Sequence, residues 1–298
     1  MKPKTITIGI PAYNEEKTIG KVLRDVYAQK FDDVTLKEVL VFNDGSEDDT
    51  VKIVKTFKNE NLKLIDGKIR KGMVAGLNAL CETATGDCLI ILNSDIRIKD
   101  VNFAQKLSEP IFAGRADLTS CDQLGLEPRT VVESALVTSM EIKSAVFNKF
   151  NNGNNVYTSH GSSRGFSRKL YNKIHFTHSV GEDAYAYLFA IFNNMSYEYV
   201  SDTGTYVRAP AHMEDHYKQA SRFEQSKSQF NHEFGEEFVN KMYYLPSSLI
   251  IKETLKKAVV SPFSTALYIF IFVLMKVRKP KTQSISNTWE VVHSSKET

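Results

Sequence analysis

The chain has 298 residues, of which 42% are hydrophobic and 24% charged, and its formal net charge is +3. This composition is typical of a globular protein with a sizeable core, and the length allows one large α/β domain or two small ones. The small net charge argues against a nucleic-acid-binding protein. Three cysteines without a CxxC pair favour reduced thiols in a cytosolic compartment. The apolar run over 5–10 breaks at Pro11, which predicts a first strand rather than a signal peptide.

The first hundred residues alternate between strand patterns and helix patterns. Strands are predicted over 5–10, 36–44, 61–66 and 87–93. Helices are predicted over 15–29, 47–57 and 72–81, with Ser46 as the N-cap of the second. Such repeats imply parallel strands joined by right-handed crossovers. Because ligands bind at the carboxyl ends of such strands, we expect one crevice lined by residues 11–14, 43–46, 66, 70 and 93–95.

The alternation weakens from about residue 117 onwards. A helix is predicted over 131–150, followed by an asparagine-rich loop over 151–155 and a flexible, glycine-rich segment over 161–168. Further along, the patterns predict a helix over 182–192, short strands over 197–202 and 205–209, and a polar helical segment over 213–238.

The C-terminal segment differs in character from the rest of the chain. Residues 258–275 contain no charge and are flanked by lysines; as a helix they would span roughly 27 Å, near the lower limit for crossing a bilayer. Residues 247–258 suit an amphipathic helix at a membrane interface. We therefore predict membrane-associated helices over 241–281, contacting the membrane through 247–279, and a flexible polar tail over 282–298. Spanning and surface insertion both stay open, and the alternative is a long core helix packed on the body.

Four motifs occur in the order and approximate spacing of a known enzyme family. They read IPAYNEEKTIGKVL, VFNDGSEDDT, KGMVAGLNALCETATGDCLIILNSDIRI and GED. Through them the chain resembles glycosyltransferase family 2 over roughly residues 4–225. The resemblance implies an inverting enzyme with a GT-A fold, an α/β, Rossmann-like, mostly parallel central sheet flanked by helices. It also implies a catalytic domain over 1–240, with a nucleotide-binding half over 1–100 and an acceptor half over 101–240.

The resemblance assigns the donor contacts to the first three of these four motifs. Asp44 would contact the nucleobase; a plain turn or helix-cap acid is the alternative reading. Arg70, and with less weight Lys71, would reach the diphosphate or the base, while Gly72 would let the helix N-terminus approach. The remaining donor contacts implied by the resemblance are Pro11, Ala12, Tyr13, Glu15 and Ser94.

A divalent metal, Mg²⁺ or Mn²⁺, is implied by the NSD motif. The family usually has Asp-x-Asp there, whereas this chain has Asn93 in the first position and retains Asp95. Asp95 would bind the metal together with diphosphate oxygens, since these cations commonly use only one or two protein carboxylates. His212 is a second candidate metal ligand, although a lone loop histidine is more often at the surface or structural.

Catalysis is assigned by the resemblance to the acidic pair Glu182 and Asp183. Asp183 would be the general base that takes the proton of an acceptor hydroxyl; acids that complement a helix dipole are the alternative. Ser162 and Arg164 are candidates to face the acceptor and the sugar. The QASRF segment (219–223) resembles a Gln-x-x-Arg-Trp signature with Phe223 in place of Trp, which argues against a processive polysaccharide synthase.

The function that these motifs imply is transfer of a sugar, of the hexosyl type, from a nucleotide-sugar donor, with UDP-sugars favoured by family habit. The acceptor would be a hydroxyl of a glycan or lipid-linked molecule in cell-surface glycan, polysaccharide or glycolipid synthesis, at the cytoplasmic face of a membrane. Asn93 and Met73 depart from the family pattern and keep open a non-catalytic sugar-nucleotide-binding scaffold. A nucleotidylyltransferase ranks last, because the chain lacks the glycine-rich start that holds a triphosphate.

Overall fold

The computed structural model describes residues 4–177 and 180–277, without the side chains of 217–226, 276 and 277. The strands in this part are β1 (Lys4–Ala12), β2 (Val34–Asp44), β3 (Leu62–Gly67), β4 (Cys88–Leu92), β5 (Ile96–Ile98), β6 (Leu118–Gly125), β7 (Ser163–Ser167) and β8 (Tyr197–Val207). The helices are α1 (Ile19–Tyr27), α2 (Thr50–Thr56), α3 (Met73–Thr83), α4 (Phe103–Phe112), α5 (Val131–Lys149), α6 (Arg168–Tyr171), α7 (Glu182–Phe192), α8 (Met213–Phe234), α9 (Glu236–Met242), α10 (Ser247–Val260) and α11 (Pro262–Val277).

The strands form a single eight-stranded sheet in the order β3-β2-β1-β4-β7-β6-β8-β5. β1, β2, β3 and β4 are parallel, as the alternating pattern predicts. The second half differs, because β7 is antiparallel to both β4 and β6, and β5 is antiparallel to β8, while β6 and β8 are parallel. The sheet is therefore mixed, and the prediction of a mostly parallel sheet holds only for its nucleotide-side half.

The segment over 161–168, predicted to be flexible, contains a buried strand. Every residue of β7 is buried between β4 and β6. Its small residues are needed for close packing, since a Cβ at Gly165 would collide with Thr119 Oγ1. A strand of Ser, Arg, Gly and Phe shows no hydrophobic alternation, and its burial comes from its neighbours rather than from its own composition.

Three element boundaries also differ from the prediction. α2 begins at Thr50 after Asp49, so Ser46 is not its N-cap; the Ser46 hydroxyl instead accepts a hydrogen bond from the Asn14 main-chain N–H at 3.0 Å. The two short strands predicted after residue 196 are one strand, β8, whose pairing with β6 is irregular between Cys121 and Asp122. The polar helical segment is divided into α8 and α9 at Gly235.

Hydrophobic clusters lie on both faces of the sheet. One contains side chains of β1, β2 and β4 together with α1 and α4, including Ile8, Leu23 and Phe103. The other contains α3, α7 and the end of α8, including Leu77, Leu188 and Phe230. Both faces of the central strands are thus covered, which explains the continuous apolar run of β4.

The C-terminal helices α10 and α11 both pack against α5. Glu253 of α10 is buried and accepts a hydrogen bond from Lys149 Nζ at 2.6 Å, and the hydroxyls of Ser134 and Ser264 are 3.2 Å apart. The predicted apolar segment is interrupted at Ser261, because Pro262 cannot continue α10 and begins α11 instead. No helix in the described residues combines the length and apolar character needed to cross a bilayer. Residues 282–298, predicted to be a flexible tail, lie outside the described residues.

Although they pack on the body, α10 and α11 leave an apolar face in solvent. Val259, Val260 and Phe263, around the junction of the two helices, are 84%, 76% and 75% exposed. The other large apolar side chains exposed on the two helices are Ile250, Ile251, Leu255, Ile269, Phe270, Phe272, Val273 and Leu274. A patch of this kind is typical of an interaction surface rather than of a monomer in water.

Candidate active site

The carboxyl ends of β1, β2 and β3 lie side by side at one edge of the sheet. In the parallel register Ala12 is paired with Asn43, and Asn43 with Asp66. The Asn43 side chain links two of these ends, because its Nδ2 donates to Asp66 Oδ1 at 2.8 Å while its Oδ1 accepts from the Ser46 main-chain N–H at 3.0 Å. Three of the strand ends predicted to line one crevice are therefore neighbours in the sheet.

Asp44 connects the end of β2 to the start of α3. Its Oδ1 accepts the main-chain N–H of Lys71 at 2.7 Å, and its Oδ2 accepts that of Gly72 at 2.8 Å. The carboxylate is buried, so two charge-assisted hydrogen bonds hold it in one orientation. Gly45 follows with a φ of +72°, and a Cβ there would be 2.9 Å from the Arg70 main-chain nitrogen, so only glycine fits this turn.

Tyr13 and Arg70 meet above the same edge. The guanidinium carbon of Arg70 lies 3.9 Å from the centroid of the Tyr13 ring, which is within cation–π distance. Glu15 behaves differently from these two residues. It is buried, its Oε2 accepts from the Thr18 hydroxyl at 2.7 Å, and its main-chain N–H donates to Thr50 Oγ1 at 2.7 Å. These contacts tie Glu15 to the starts of α1 and α2.

Pro11 and Ala12 lie deep in the structure. Pro11 Cβ packs 3.4 Å from where a side chain of Gly76 in α3 would begin. Ala12 is buried and belongs to the hydrophobic cluster beneath α1. At both positions a ligand would meet the main chain rather than a reactive side chain.

The NSD motif connects β4 to β5. The Asn93 main-chain N–H donates to the Ser162 carbonyl oxygen at 3.0 Å, and Ser94 is buried. Asp95 immediately precedes β5, whose first residue, Ile96, pairs with Val207 at the end of β8. The segment that follows β8 therefore starts on the same side as Asp95. It leads to His212, which is exposed and lies at the N-cap position of α8.

The acidic pair lies at the first turn of α7. Gly181 precedes it in the left-handed conformation with a φ of +77°. Around Gly161 three side chains converge: a Cβ built there would be 3.7 Å from Glu182 Oε1, 3.9 Å from Asn93 Nδ2 and 3.9 Å from Asp183 Cβ. The end of β4 and the start of α7, separated by some ninety residues in the chain, thus share one site.

Local hydrogen bonds hold the main chain around Asp183. The Ser159 hydroxyl donates to the Asp183 carbonyl oxygen at 3.3 Å, and Asp183 Oδ1 accepts the main-chain N–H of Ala184 at 2.8 Å. Asp183 lies in the first turn of α7, after the N-cap residue Gly181, where an acid complements the helix dipole. Both interpretations of Asp183, first-turn acid that complements the dipole and general base, are therefore compatible with its geometry.

Two further residues behind this turn have partners that the motif comparison does not predict. Arg164 is fully buried and its Nη1 donates to the Glu182 carbonyl oxygen at 3.0 Å. His160 has both ring nitrogens within hydrogen-bond distance of protein oxygens, at Cys121 O and at Ser162 Oγ. Burial lowers the pKa of His160. Nothing in the sequence identifies His160, because its partners come from β6 and from the loop before β7.

The described residues hold no group of three or more His, Cys, Asp or Glu side chains suited to a metal ion. The donor set around the NSD motif is one carboxylate, Asp95, with the amide of Asn93 and the hydroxyl of Ser94 nearby in sequence. Such a set fits Mg²⁺ or Mn²⁺ when water or phosphate oxygens complete the coordination shell.

The family model for glycosyl transferase family 2 matches residues 7–175, which is more than half of the chain. The chain belongs to glycosyltransferase family 2. The matched region contains the Asp44 turn, the NSD motif and Arg164, whereas the acidic pair at the start of α7 lies beyond it.

Curated members of family 2 are similar to this chain over part of its length. The poly-beta-1,6-N-acetyl-D-glucosamine synthase of Staphylococcus epidermidis is 30% identical over 96 residues, which are 32% of this chain and 23% of that protein. The dolichyl-phosphate beta-glucosyltransferase ALG5A of Trichomonas vaginalis is 28% identical over 110 residues, which are 34% of each chain. These matches thus span about a quarter to a third of the relatives.

Solved family 2 structures share the GT-A fold with this chain. S. aureus TarS in complex with UDP superposes with a TM-score of 0.55 at 23% identity, covering 72% of this chain and 63% of TarS. The mannosyltransferase PcManGT from Pyrobaculum calidifontis, in complex with GDP-Man and Mn²⁺, superposes with a TM-score of 0.56 at 17% identity, covering 94% and 77%. The predicted α/β, GT-A class of the fold is therefore confirmed, with a mixed sheet in place of the mostly parallel one that was predicted.

One family 2 signature falls outside what the structure describes. The QASRF segment lies within α8, but its side chains are not among those described. The expectation that Phe223 argues against processivity stays a prediction.

Proposed function

We propose that this chain is an inverting glycosyltransferase that moves a sugar, of the hexosyl type, from a nucleotide-sugar donor to a hydroxyl acceptor. The observation that carries the proposal is the convergence of Asn93, Glu182 and Asp183 around Gly161. It brings a carboxylate next to the strand end where the donor diphosphate would bind. Membership of family 2 supports the same reaction class. UDP is the favoured nucleotide, in the synthesis of a cell-surface glycan, polysaccharide or glycolipid.

The donor would bind across the ends of β1, β2 and β4. Tyr13 and Arg70, which already stack on each other, offer an aromatic face and a cation for the base and the diphosphate. The carboxylate of Asp44 keeps the N-terminus of α3 in place, where main-chain N–H groups favour an anion. Each Asp44 oxygen retains a lone pair that could accept the imide N–H of uracil.

The transfer step would be a single in-line displacement. Asp183 takes the proton of the acceptor hydroxyl as its oxygen attacks the anomeric carbon. The bond from that carbon to the donor phosphate breaks, and the nucleoside diphosphate leaves on the opposite side. Glu182 precedes the base in the same helical turn, and its side chain is buried.

Asp95 is the residue that would hold a divalent metal, with His212 as a second ligand. Mg²⁺ or Mn²⁺ there would neutralise charge on the leaving diphosphate. The Mn²⁺ bound with GDP-Man in PcManGT supports a metal in this fold. A single protein carboxylate suffices when phosphate oxygens supply other ligands.

The exposed face of α10 and α11 would lie on a membrane surface. It combines apolar side chains at the helix junction with Lys252 and Lys256, whose side chains are exposed on α10. Apolar groups inserted at the headgroup level and lysines at anionic lipid headgroups are the two contributions that bind interfacial helices. The active site would then face lipid-linked or membrane-delivered acceptors at the cytoplasmic face.

A non-catalytic sugar-nucleotide-binding scaffold is the second candidate, favoured by Asn93 in place of the usual acid. The two candidates are separated by measuring nucleotide release from UDP-glucose, UDP-N-acetylglucosamine, UDP-galactose, GDP-mannose and dTDP-glucose with Mg²⁺ or Mn²⁺. Release that disappears in Asp95→Ala supports the enzyme. Tight nucleotide binding without release from any donor supports the scaffold.

A further inference from the structure

A cleft of about 160 Å³ opens between α5 and the sheet, in the half of the chain predicted to bind the acceptor. Its walls include Asp122 of β6, Lys143 of α5, Tyr157 and His160 of the following loop, and Tyr199 of β8. The ring of Tyr157 is stacked on that of Phe147 with centroids 4.8 Å apart, giving the cleft an aromatic wall. None of the residues predicted to contact donor or metal lines this cleft.

The cleft and the proposed base are contacted by adjacent residues of one loop. His160 lines it, and the next residue, Gly161, faces Asn93, Glu182 and Asp183. Ser159, on the other side of His160, donates to the Asp183 carbonyl oxygen. A molecule in the cleft would therefore contact the same loop that contacts Asp183.

Lys143 supplies a cation that no described residue neutralises. Its side chain is open to solvent and forms neither a hydrogen bond nor an ion pair with the described part of the chain. Because this ammonium is exposed on the wall of the cleft, it is available to an anion that enters the cleft.

The neighbouring titratable groups do not fill that role. The carboxylate of Asp122 contacts neighbours of Lys143 and forms no ion pair with Lys143 itself: its Oδ1 accepts hydrogen bonds from the Tyr199 hydroxyl at 2.5 Å, the Ser144 hydroxyl at 3.1 Å and Asn148 Nδ2 at 3.4 Å. His216 of α8 is near enough to interact electrostatically with Lys143. Burial and that positive charge lower the pKa of His216 to about 4, so it is neutral at neutral pH.

We propose that this cleft binds the acceptor, and that Lys143 binds an anionic group on it, a phosphate or a carboxylate. A lysine ammonium is a compact point charge suited to either group. The aromatic wall and the hydroxyl and amide groups of the cleft would accommodate the sugar part. This inference rests on the proposed function, since it assigns the cleft to the acceptor of that reaction.

The anion can belong to a soluble sugar or to a lipid, and binding measurements distinguish the two sources. Glucose, glucose 6-phosphate and glucuronic acid are titrated into the full chain saturated with UDP, and vesicles containing a polyprenyl phosphate are tested separately. We expect at least one anionic probe to bind about tenfold or more tightly than its neutral counterpart. Lys143→Met should remove this difference, and Lys143→Arg should keep most of it.

Lys58→Met is the matched control, because Lys58 is likewise an exposed lysine without a described partner, after α2. Equal binding of all neutral and anionic probes by the unmodified chain would overturn the inference, as would equal losses in Lys143→Met and Lys58→Met. UDP affinity and UDP release from the donors are measured on the same variants. If the unmodified chain neither binds UDP nor releases it from the donors, the result counts against the proposed function. If it does both but binds neutral and anionic probes equally, the result counts against the assignment of the cleft alone.

Discussion

The Arg164 guanidinium donates a hydrogen bond to the main-chain carbonyl of Glu182, which links the centre of the sheet to the first turn of α7. Arg164 is 1% exposed, and no described protein group accepts from its Nε. A buried cation that contacts the turn bearing Glu182 and Asp183 contributes both position and positive charge. We infer that Arg164 is a positioning residue for Asp183.

Replacing Arg164 should therefore affect turnover more than donor binding. Arg164→Met removes the hydrogen bond, and we expect kcat to fall about 10²-fold, since a displacement of about 1 Å in a catalytic group costs that much. The KM for the donor should stay within about twofold. Arg164→Lys, which keeps a donor and the charge, should recover part of kcat, a recovery that a purely structural role would not give. Arg168→Met, at an exposed arginine close to Arg164 in the chain, is the control. Equal kcat losses in the two Met variants would contradict the assignment.

Asp44→Asn should weaken both the fold near α3 and the donor site. The amide has one acceptor oxygen in place of two, and its NH₂ group would face a main-chain N–H of Lys71 or Gly72. We expect a loss of roughly 1–3 kcal/mol in the free energy of unfolding, from one buried N–H left without an acceptor. UDP affinity, measured calorimetrically, should fall as well. Asp49→Asn, at an exposed acid of the same motif, should change neither quantity; unchanged unfolding of Asp44→Asn would refute the linking role.

The pKa of Glu38 gives a prediction for how the free energy of unfolding depends on pH. Burial alone would raise its pKa, but hydrogen bonds from Lys63, Thr85 and Thr7 outweigh burial and lower the pKa to about 2. A carboxyl with a folded-state pKa below its ordinary value near 4.5 stabilises the protein above that value. The contribution of Glu38 should therefore be lost as the pH falls from about 4.5 to about 2.

Chemical unfolding of Glu38→Gln at several pH values tests this. At pH 7 the variant should be less stable by roughly 1–3 kcal/mol, because hydrogen bonds to a charged group are replaced by weaker ones. The difference between variant and unmodified chain should shrink towards pH 2. A difference that is constant with pH would show that the Glu38 charge is not what its neighbours stabilise.

The apolar face of α10 and α11 gives a prediction for membrane binding. Val259→Asp combined with Phe263→Asp places two charges where apolar side chains are most exposed, so the variant should lose most of its co-sedimentation with vesicles containing anionic lipid. Val101→Asp, at an exposed valine before α4, is the control. Binding that survives the double change but disappears in high salt would mean that the lysines, not the apolar face, hold the protein on the lipid.

The nucleotide-side half of the fold follows from the sequence because its signals are local. β1, β2 and β4 contain apolar runs, α1 has apolar residues at helical spacing, and parallel pairing brings 12, 43 and 66 to one edge. β7 was wrongly predicted as a flexible segment, because Ser163 and Gly165 are buried by neighbours distant in the chain. The composition of the segment alone does not predict that these neighbours bury it.

The site shows the same division. The motifs identify the candidate site residues Asp44, Arg70, Asp95 and Asp183. They do not identify the hydrogen-bond partners that hold these residues in position. The hydrogen bonds from Lys71 and Gly72 to Asp44, and from Arg164 to Glu182, depend on how loops fold against the sheet. Lys143 belongs to none of the motifs. It becomes a candidate binding residue only because it lines the cleft that α5 forms with β6.

The proposed role of Asp183 is to take the acceptor proton, and the most direct test is the transfer rate of Asp183→Asn at saturating donor. Asparagine keeps an oxygen for the Ala184 N–H and so preserves the helix start. We expect kcat for transfer to fall by about 10²–10⁴, the usual contribution of a general base, with UDP affinity unchanged. Transfer to a hydroxyl acceptor at the rate of the unmodified chain would show that Asp183 only complements the dipole of α7 and that the proton leaves by another route.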